Sequence, residues 1–354
     1  ITSGGSNPTY SGWNTNTLNL TNTVAGNNAY RYRCTLSNAC GSAVSSQRIL
    51  TVETPLAITQ TPVDASVCEA ITASFTYTAN GTIKSQKWQV STNGGSNWSD
   101  ISPSTPSPPE YSGYSTSTLQ VLEAVYANNG YKYRSVINGS TLCSPPTSYT
   151  SSAVTLTVKE LTYIDTQPQD ANVCNNANHT FSVAARGTNL TYQWQVSTNN
   201  GANWSPIIEA GTNPSYSGWN SSELTLNKVI LANDLNQYRC IISSSCSSPV
   251  TSAIAVLYLH PNPVVSLGED KHFCPGSPIT LDAGSGFSAY LWNTDEDTRT
   301  IDVSEAGEYS VEVTDENGCK NSSSVSVIAD EILPELDLGG DQTVCKYTYV
   351  MLDA

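Results

Sequence analysis

Internal repetition constrains this chain more than any other feature of its sequence. The segment 87–99, which contains Trp88 and Trp98, returns almost unchanged as the segment 193–205, with a period of 106 residues. A chain built from such copies folds as a series of similar units, each burying its own apolar face or sharing it with a neighbour. The sequence therefore predicts tandem modules rather than one globular domain.

Two further elements occur three times each and set the frame of the repeats. Tyr-Ser-Gly followed by Trp or Tyr begins at residues 10, 111 and 216, and Tyr-Arg followed by Cys or Ser begins at residues 32, 133 and 238. A second period, of 71 residues, relates the segment from Leu267 to the segment from Leu338. We predict the C-terminal half of a repeat at 1–52, complete repeats at 53–158 and 159–258, a smaller module at 259–330, and the start of another at 331–354.

The charge follows the same division. The whole chain of 354 residues has a net charge of −15 and a pI near 4.4, yet residues 1–258 carry 12 acidic and 11 basic side chains. Residues 259–354 carry 18 acidic and 4 basic side chains. This acidic balance excludes nucleic acid and anionic membrane surfaces as partners, because both repel negative charge.

Within one repeat, the pattern is typical of short strands. Tyr192, Trp194 and Val196 alternate with polar residues, which is the two-residue period of a half-buried strand. Asn200-Gly201 then supplies residues that tolerate the positive φ of a hairpin turn. About seven such strands in about 100 residues fit an antiparallel sandwich.

These residues resemble the immunoglobulin domains. Asp234 to Cys240 is similar to the Asp-x-Gly-x-Tyr-x-Cys signature at strand F, with Asn236 in place of Gly, and Trp88 and Trp194 resemble the core tryptophan of strand C. The resemblance implies an all-β chain of tandem immunoglobulin-like β-sandwich modules in an extended array. The usual strand B cysteine is missing, and Val183 lies near its position.

The sequence of the repeats also resembles that of a narrower group of proteins. The run from Trp194 through Tyr216-Ser-Gly-Trp to Tyr238-Arg-Cys resembles Ig-like repeats of giant Bacteroidota surface proteins, including gliding-motility adhesins exported by type IX secretion. The module at 259–330 resembles the PKD-like repeats of the same proteins. The resemblance implies a surface setting, whereas such repeats serve many functions.

Cysteine positions suggest one disulfide in each module. The repeat at 53–158 has only two cysteines, so we predict Cys68–Cys143 and, by position, Cys174–Cys246 and Cys274–Cys319. Cys345 is expected to pair beyond residue 354.

A rival pairing joins Cys240 to Cys246, with Cys34–Cys40 as its counterpart. It leaves Cys174 without a partner, so we favour a buried free thiol at Cys240, where a small apolar group packs well. The ten cysteines together indicate an oxidising, extracellular compartment.

No catalytic constellation emerges from the sequence, and we predict that the chain is not an enzyme. His179, His260 and His272 are far apart and form no ligand motif. We expect no cofactor. Asp295 and Asp297, between two strands, are candidates for calcium ligands because oxygen-bearing residues alternate there, although the loop lacks EF-hand spacing.

Aromatic residues offer one other binding hypothesis. Tyr216 and Trp219 are candidate ligand-facing residues, because an exposed ring can stack on a sugar. Their recurrence in each large repeat favours a structural corner instead. Trp98 and Trp204 are expected to pack across the hairpins that they follow.

The leading functional hypothesis is a non-catalytic repeat region of a large cell-surface adhesin or extracellular fibre. It would act as a semi-rigid stalk or as a multivalent surface, with neighbouring repeats, surface polysaccharide or other surface proteins as partners. The alternative is an accessory carbohydrate-binding region of a secreted hydrolase, and a third hypothesis is a self-assembling fibre subunit. No stretch is apolar enough for membrane insertion.

Overall fold

The computed structural model describes residues 1–2, 4–105, 108–143, 147–330, 340–349 and 351. Its contacts divide the chain into two compact units. The first contains residues 1–163 together with the loops 186–190 and 243–249. The second contains residues 164–185, 191–242 and 250–354. The predicted module at 331–354 falls largely outside the described residues.

Among the described residues, short strands and three single-turn 3-10 helices make up the regular structure. In the first unit, residues 1–52 form three two-stranded sheets, β1-β2, β3-β6 and β4-β5. Their strands are β1 (Thr9–Ser11), β2 (Asn19–Thr21), β3 (Arg31–Tyr32), β4 (Thr35–Asn38), β5 (Gly41–Val44) and β6 (Arg48–Ile49), with a 3-10 helix at Ala25–Asn27.

The second repeat is a two-sheet sandwich in the same unit. One sheet has the strand order β12-β11-β15-β17-β8, with β16 also on β15, and the other has the order β13-β14-β9, while β7 pairs with β10. The strands are β7 (Ala57–Gln60), β8 (Ala65–Cys68), β9 (Ala73–Thr76), β10 (Thr78–Asn80), β11 (Ile83–Ser91), β12 (Ser99–Asp100), β13 (Glu110–Ser112), β14 (Thr118–Leu122), β15 (Lys132–Gly139), β16 (Ser148–Thr150) and β17 (Val154–Lys159), with a 3-10 helix at Tyr126–Asn128.

The third repeat, most of which lies in the second unit, reproduces this topology. Its sheets have the orders β23-β22-β26-β28-β19, with β27 on β26, and β24-β25-β20, while β18 pairs with β21. The strands are β18 (Tyr163–Thr166), β19 (Ala171–Cys174), β20 (His179–Ser182), β21 (Ala184–Arg186), β22 (Thr191–Ser197), β23 (Ser205–Pro206), β24 (Ser215–Ser217), β25 (Glu223–Asn227), β26 (Gln237–Ser243), β27 (Val250–Thr251) and β28 (Ala255–His260), with a 3-10 helix at Leu231–Asn233.

The acidic module is a smaller sandwich of the same kind. A four-stranded sheet, β29-β34-β33-β31, packs with the pair β30-β32. Its strands are β29 (Lys271–Phe273), β30 (Ile279–Asp282), β31 (Ala289–Trp292), β32 (Thr300–Val303), β33 (Gly307–Thr314) and β34 (Lys320–Ala329).

Each sandwich has a core of its own, built around one tryptophan. Trp88 and Tyr133 are fully buried in the second repeat, as are Trp194 and Tyr238 in the third, and Trp292 is 1% exposed in the acidic module. The alternating pattern of the sequence produces this core, because successive residues of a strand face opposite sides of the sheet. The predicted all-β, immunoglobulin-like sandwich fold is confirmed by these strand orders.

Candidate functional site at the crosslinked junctions

The first cysteine of each repeat lies where the chain leaves that repeat. In the second repeat, β8 runs parallel to the last strand, β17, and Cys68 lies opposite Lys159 at the end of both strands. In the third repeat, Cys174 lies opposite His260 in the same way. In the acidic module, Cys274 directly follows Phe273, which lies opposite Ala329. We call this end of a sandwich its exit end.

The second cysteine lies at the opposite end. Strands β15 and β26 run antiparallel to the last strands of their repeats, so the loops that follow them lie away from the exit end. Cys143 and Cys246 belong to these loops, and Cys319 belongs to the corresponding turn after β33. We call this end the entry end.

The first junction is a disulfide between consecutive repeats. Within the first unit, Cys68 bonds Cys246, with 5.4 Å between their Cα atoms and 178 residues between them in sequence. Beside it, the Ser247 hydroxyl donates a hydrogen bond of 2.9 Å to the hydroxyl of Thr162. The loop that contains Cys246 therefore packs where the second repeat ends.

The second junction repeats this arrangement within the second unit. Cys174 of the third repeat bonds Cys319 of the acidic module, with 5.5 Å between their Cα atoms and a separation of 145 residues. Cys319 is fully buried, and its amide N–H donates to the Asp315 carboxylate at 2.8 Å. The Asp315 amide in turn donates to the Cys319 carbonyl at 2.9 Å, which fixes the turn that carries the cysteine.

The predicted pairs Cys68–Cys143, Cys174–Cys246 and Cys274–Cys319 are therefore wrong. The two cysteines of one repeat lie at opposite ends of its sandwich, separated by a strand of eight residues in β15, or roughly 25 Å. A disulfide needs Cα atoms within about 7 Å. The sequence contains no signal for this arrangement, because the parallel pairing that puts the first cysteine beside the departing chain is visible only in the folded structure.

The remaining cysteines are free thiols. Cys240 is buried and unpaired as predicted, and burial raises the pKa of its thiol to about 11. The rival pairing is not formed, since Cys34 and Cys40 are both free and exposed. Cys143 is half-buried, and Cys274 and Cys345 are exposed. The partner expected for Cys345 stays a prediction.

The Tyr-Ser-Gly-Trp segment forms a corner that supports the core tryptophan. The Trp219 carbonyl accepts a hydrogen bond from the Trp194 amide at 2.9 Å, and the Ser221 carbonyl accepts from Trp194 Nε1 at 3.0 Å. Trp219 itself is half-buried, and the ring of Tyr216 packs edge-on against Tyr238 at 6.5 Å. The backbone of this corner therefore has a structural use, which favours the structural interpretation over the sugar-binding one.

The tryptophans after the hairpins stack on arginines of a neighbouring strand. Arg134 lies 4.2 Å from the ring centre of Trp98, and Arg239 lies 4.1 Å from that of Trp204. Each guanidinium also donates through Nε to a glutamine of the adjacent strand, Gln89 or Gln195. These rings are half-buried and held by their own repeat.

Titratable groups do not converge on a reaction centre in the described part of the chain. No group of three or more His, Cys, Asp and Glu side chains could hold a metal there. Asp295 and Asp297 are exposed in a turn, where the Asp295 amide donates to the Trp292 carbonyl. The Asp282 carboxylate pairs with Arg299, which lowers its pKa. Among the described helices, none is both long and apolar enough to cross a membrane.

The chain is similar to several solved structures that contain serial immunoglobulin domains. It matches the I-band fragment I67–I69 of titin at 14% identity and a TM-score of 0.42, over 78% of this chain and 99% of that chain. Extracellular domains 3–5 of Drosophila OTK match at 14% identity and a TM-score of 0.33, over 78% and 97%. The N-terminal four Ig domains of Dscam1 isoform 1.9 match at 12% identity and a TM-score of 0.30, over 91% and 86%. These scores are low, so the fold assignment rests on the strand orders.

No protein-family model and no curated protein matches the chain.

Proposed function

We propose that this chain is a non-catalytic repeat region of a large extracellular adhesin or fibre, acting as a semi-rigid stalk. The observation that carries the proposal is the crosslinking of consecutive repeats by Cys68–Cys246 and Cys174–Cys319. A disulfide inside a module stabilises that module, whereas a disulfide between modules restrains their separation and rotation. Such restraint is useful in a stalk, which must keep the parts at its two ends a fixed distance apart.

Independent cores support the same function. Each sandwich buries its own tryptophan, so no repeat depends on a distant one for its apolar core. An enzyme of this length would instead gather remote segments around one concave pocket. Repeated, self-contained cores are what an array needs if modules are to be added or lost without loss of folding.

The disulfides also support an extracellular location, since disulfides persist in oxidising compartments. Together with the resemblance to Bacteroidota repeats, they favour a bacterial cell-surface protein of the gliding-motility adhesin type, exported by type IX secretion. The acidic module would then be a PKD-like domain. The partners would be neighbouring repeats of the same polypeptide and surface polysaccharide or surface proteins, bound weakly at many copies.

A deletion tests the stalk. Removal of residues 159–258 is expected to shorten the maximum dimension measured by small-angle scattering by roughly 35 Å, about one sandwich length. The remaining modules should keep their hydrogen-exchange protection, as independent cores require. Retention of the original dimension, or loss of protection in residues 53–158, would contradict the proposal.

The same deletion places Cys68 and Cys319 in consecutive modules. Cys68 is at an exit end and Cys319 is at an entry end, so we expect a new Cys68–Cys319 disulfide in the shortened chain. Peptide mapping without reductant measures it. A Cys68–Cys143 bond in the shortened chain would instead contradict the rule that an exit-end cysteine pairs with the entry-end cysteine of the next module. It would leave the order of the repeats unaffected.

A further inference from the structure

The two disulfides enclose overlapping stretches of the chain. Cys68–Cys246 encloses 178 positions and Cys174–Cys319 encloses 145, and the second stretch begins before the first one ends. The overlap is the segment 174–246 of the third repeat. Disulfides within single modules would instead have produced separate loops joined by single stretches of peptide.

We propose that these overlapping disulfides give the chain between Cys68 and Cys319 a redundant covalent path. A break between residues 68 and 174 leaves the route through Cys246 and onward to Cys319. A break between residues 246 and 319 leaves the route from Cys68 to Cys174 and across to Cys319. A break inside the overlap leaves both routes. One cleaved peptide bond anywhere in this stretch therefore leaves the two ends joined.

The same connectivity limits extension. In the oxidised chain, the shortest covalent route from Cys68 to Cys319 contains about 70 residues, or roughly 250 Å when fully extended. In the reduced chain, the route contains about 250 residues, or roughly 850 Å. A force that pulls the two ends apart is transmitted through the disulfide from Cys68 to Cys246. Most of the second repeat therefore does not bear this force.

The inference goes beyond the stalk function and stands without it, because it follows from the connectivity alone. For a chain exposed to extracellular proteases, however, the consequence is concrete. An exposed loop that is cut does not release whatever lies beyond it. Even one cut on each side of the overlap leaves a third route, from Cys68 to Cys246, back along the chain to Cys174 and across to Cys319. Surface loops are the usual sites of such cuts.

Inserted protease sites test the redundant path. One site is placed between Ser152 and Ala153 and another between Gly268 and Glu269, all four residues being exposed and outside the strands. These positions lie outside every loop that within-module pairing would close. A third site, between Val63 and Asp64, both exposed and outside the strands, lies before Cys68 and outside the Cys34–Cys40 pair, and it serves as the matched control.

After complete cleavage and thiol alkylation, we expect one band of full mass on a non-reducing gel for each of the first two sites, and two fragments after reduction. The control site should release a fragment under both conditions. Release of a fragment without reductant from either inner site would overturn the proposal. The measurement requires only the disulfides, so a small loss of stability does not obscure it.

Cysteine variants assign the two routes. With Cys68→Ser and Cys246→Ser together, the site at 152 should release a fragment without reductant, while the site at 268 should remain joined. With Cys174→Ser and Cys319→Ser together, the pattern should reverse. Cys143→Ser with Cys274→Ser removes only free thiols and should leave both sites joined. A fragment released from this variant but not from the parent chain would place Cys143 or Cys274 in the crosslinks and sink the proposal.

Discussion

The second and third repeats have the same strand order, and their cores share some residues and differ in others at matched positions, which makes each a control for the other. Trp88 matches Trp194, and Tyr133 matches Tyr238, all four fully buried. By contrast, Ser135 takes the place of Cys240, and Ala73 takes the place of His179. The comparison separates what fixes the fold, which is the aromatic core, from what each repeat can vary.

Cysteine use is the second difference between them. The third repeat contributes both Cys174 and Cys246 to disulfides, whereas the second contributes Cys68 and keeps Cys143 as a free thiol. The strand that carries the exit cysteine has the same parallel register in both. The junction therefore depends on the position of each cysteine along the array and not on a difference in fold.

The largest effect is expected from the core tryptophans. Trp88→Ala and Trp194→Ala should each cost about 3–5 kcal/mol, since each removes a fully buried ring and a hydrogen bond to the corner. Hydrogen exchange followed by mass spectrometry should show lost protection in the substituted repeat only. Equal loss in both repeats from one substitution would end the view that their cores are independent.

Removal of the first junction should have the next largest effect. Cys68→Ser with Cys246→Ser opens a long loop and should cost about 3 kcal/mol, the middle of the range typical of a disulfide and below the roughly 5 kcal/mol that the chain-entropy model assigns to a loop of this length. Thermal unfolding without reductant measures the loss. Cys143→Ser is the matched control in the second repeat and should leave the melting temperature unchanged, because that thiol is free.

Replacing the glycine in each corner by alanine should have the third largest effect on stability. Gly113 and Gly218 have φ of +69° and +74°, and a Cβ there would lie 2.1 Å from the Thr118 carbonyl oxygen and 2.2 Å from that of Glu223. Either glycine changed to Ala should cost about 2 kcal/mol in chemical denaturation. Gly130→Ala separates the cost of backbone strain from the cost of a steric clash. Gly130 has a φ of +85°, but an added Cβ there would meet no atom within 4 Å. This substitution should cost less than Gly113→Ala.

Substitutions at the matched core position, which is Ser135 in the second repeat and Cys240 in the third, should have smaller effects on stability. The two effects should have opposite signs. Within the described part of the chain, the buried Ser135 hydroxyl has no hydrogen-bond partner. Ser135→Ala should therefore stabilise the second repeat by about 1 kcal/mol, and Cys240→Ser should destabilise the third by a similar amount. Denaturant midpoints of the two variants check this, and destabilisation by Ser135→Ala would contradict it.

Sequence reasoning was most successful where the information is local. Alternation around Trp194 predicted the strand and its buried face, and the period of 106 predicted that Trp88 does the same. The disulfides were not predictable in this way, because nothing in the spacing of Cys68 and Cys143 says which end of a sandwich each occupies. That information lies in the parallel pairing of β8 with β17, which forms only when distant strands meet.

The smallest expected effect is a pH dependence that only the third repeat should have. His179 packs edge-on against Phe181 at 4.6 Å, and burial lowers its pKa below the ordinary value of 6.5. A lowered folded-state pKa means that the unfolded chain binds the proton more readily, so the contribution of His179 to stability is complete above pH 6.5 and declines as the pH falls below it.

Ala73 occupies the matched position in the second repeat and cannot titrate. Between pH 7.5 and 5.5 the melting temperature of the third repeat should fall relative to that of the second. His179→Ala should abolish that difference, and its persistence in this variant would assign the pH dependence to another group.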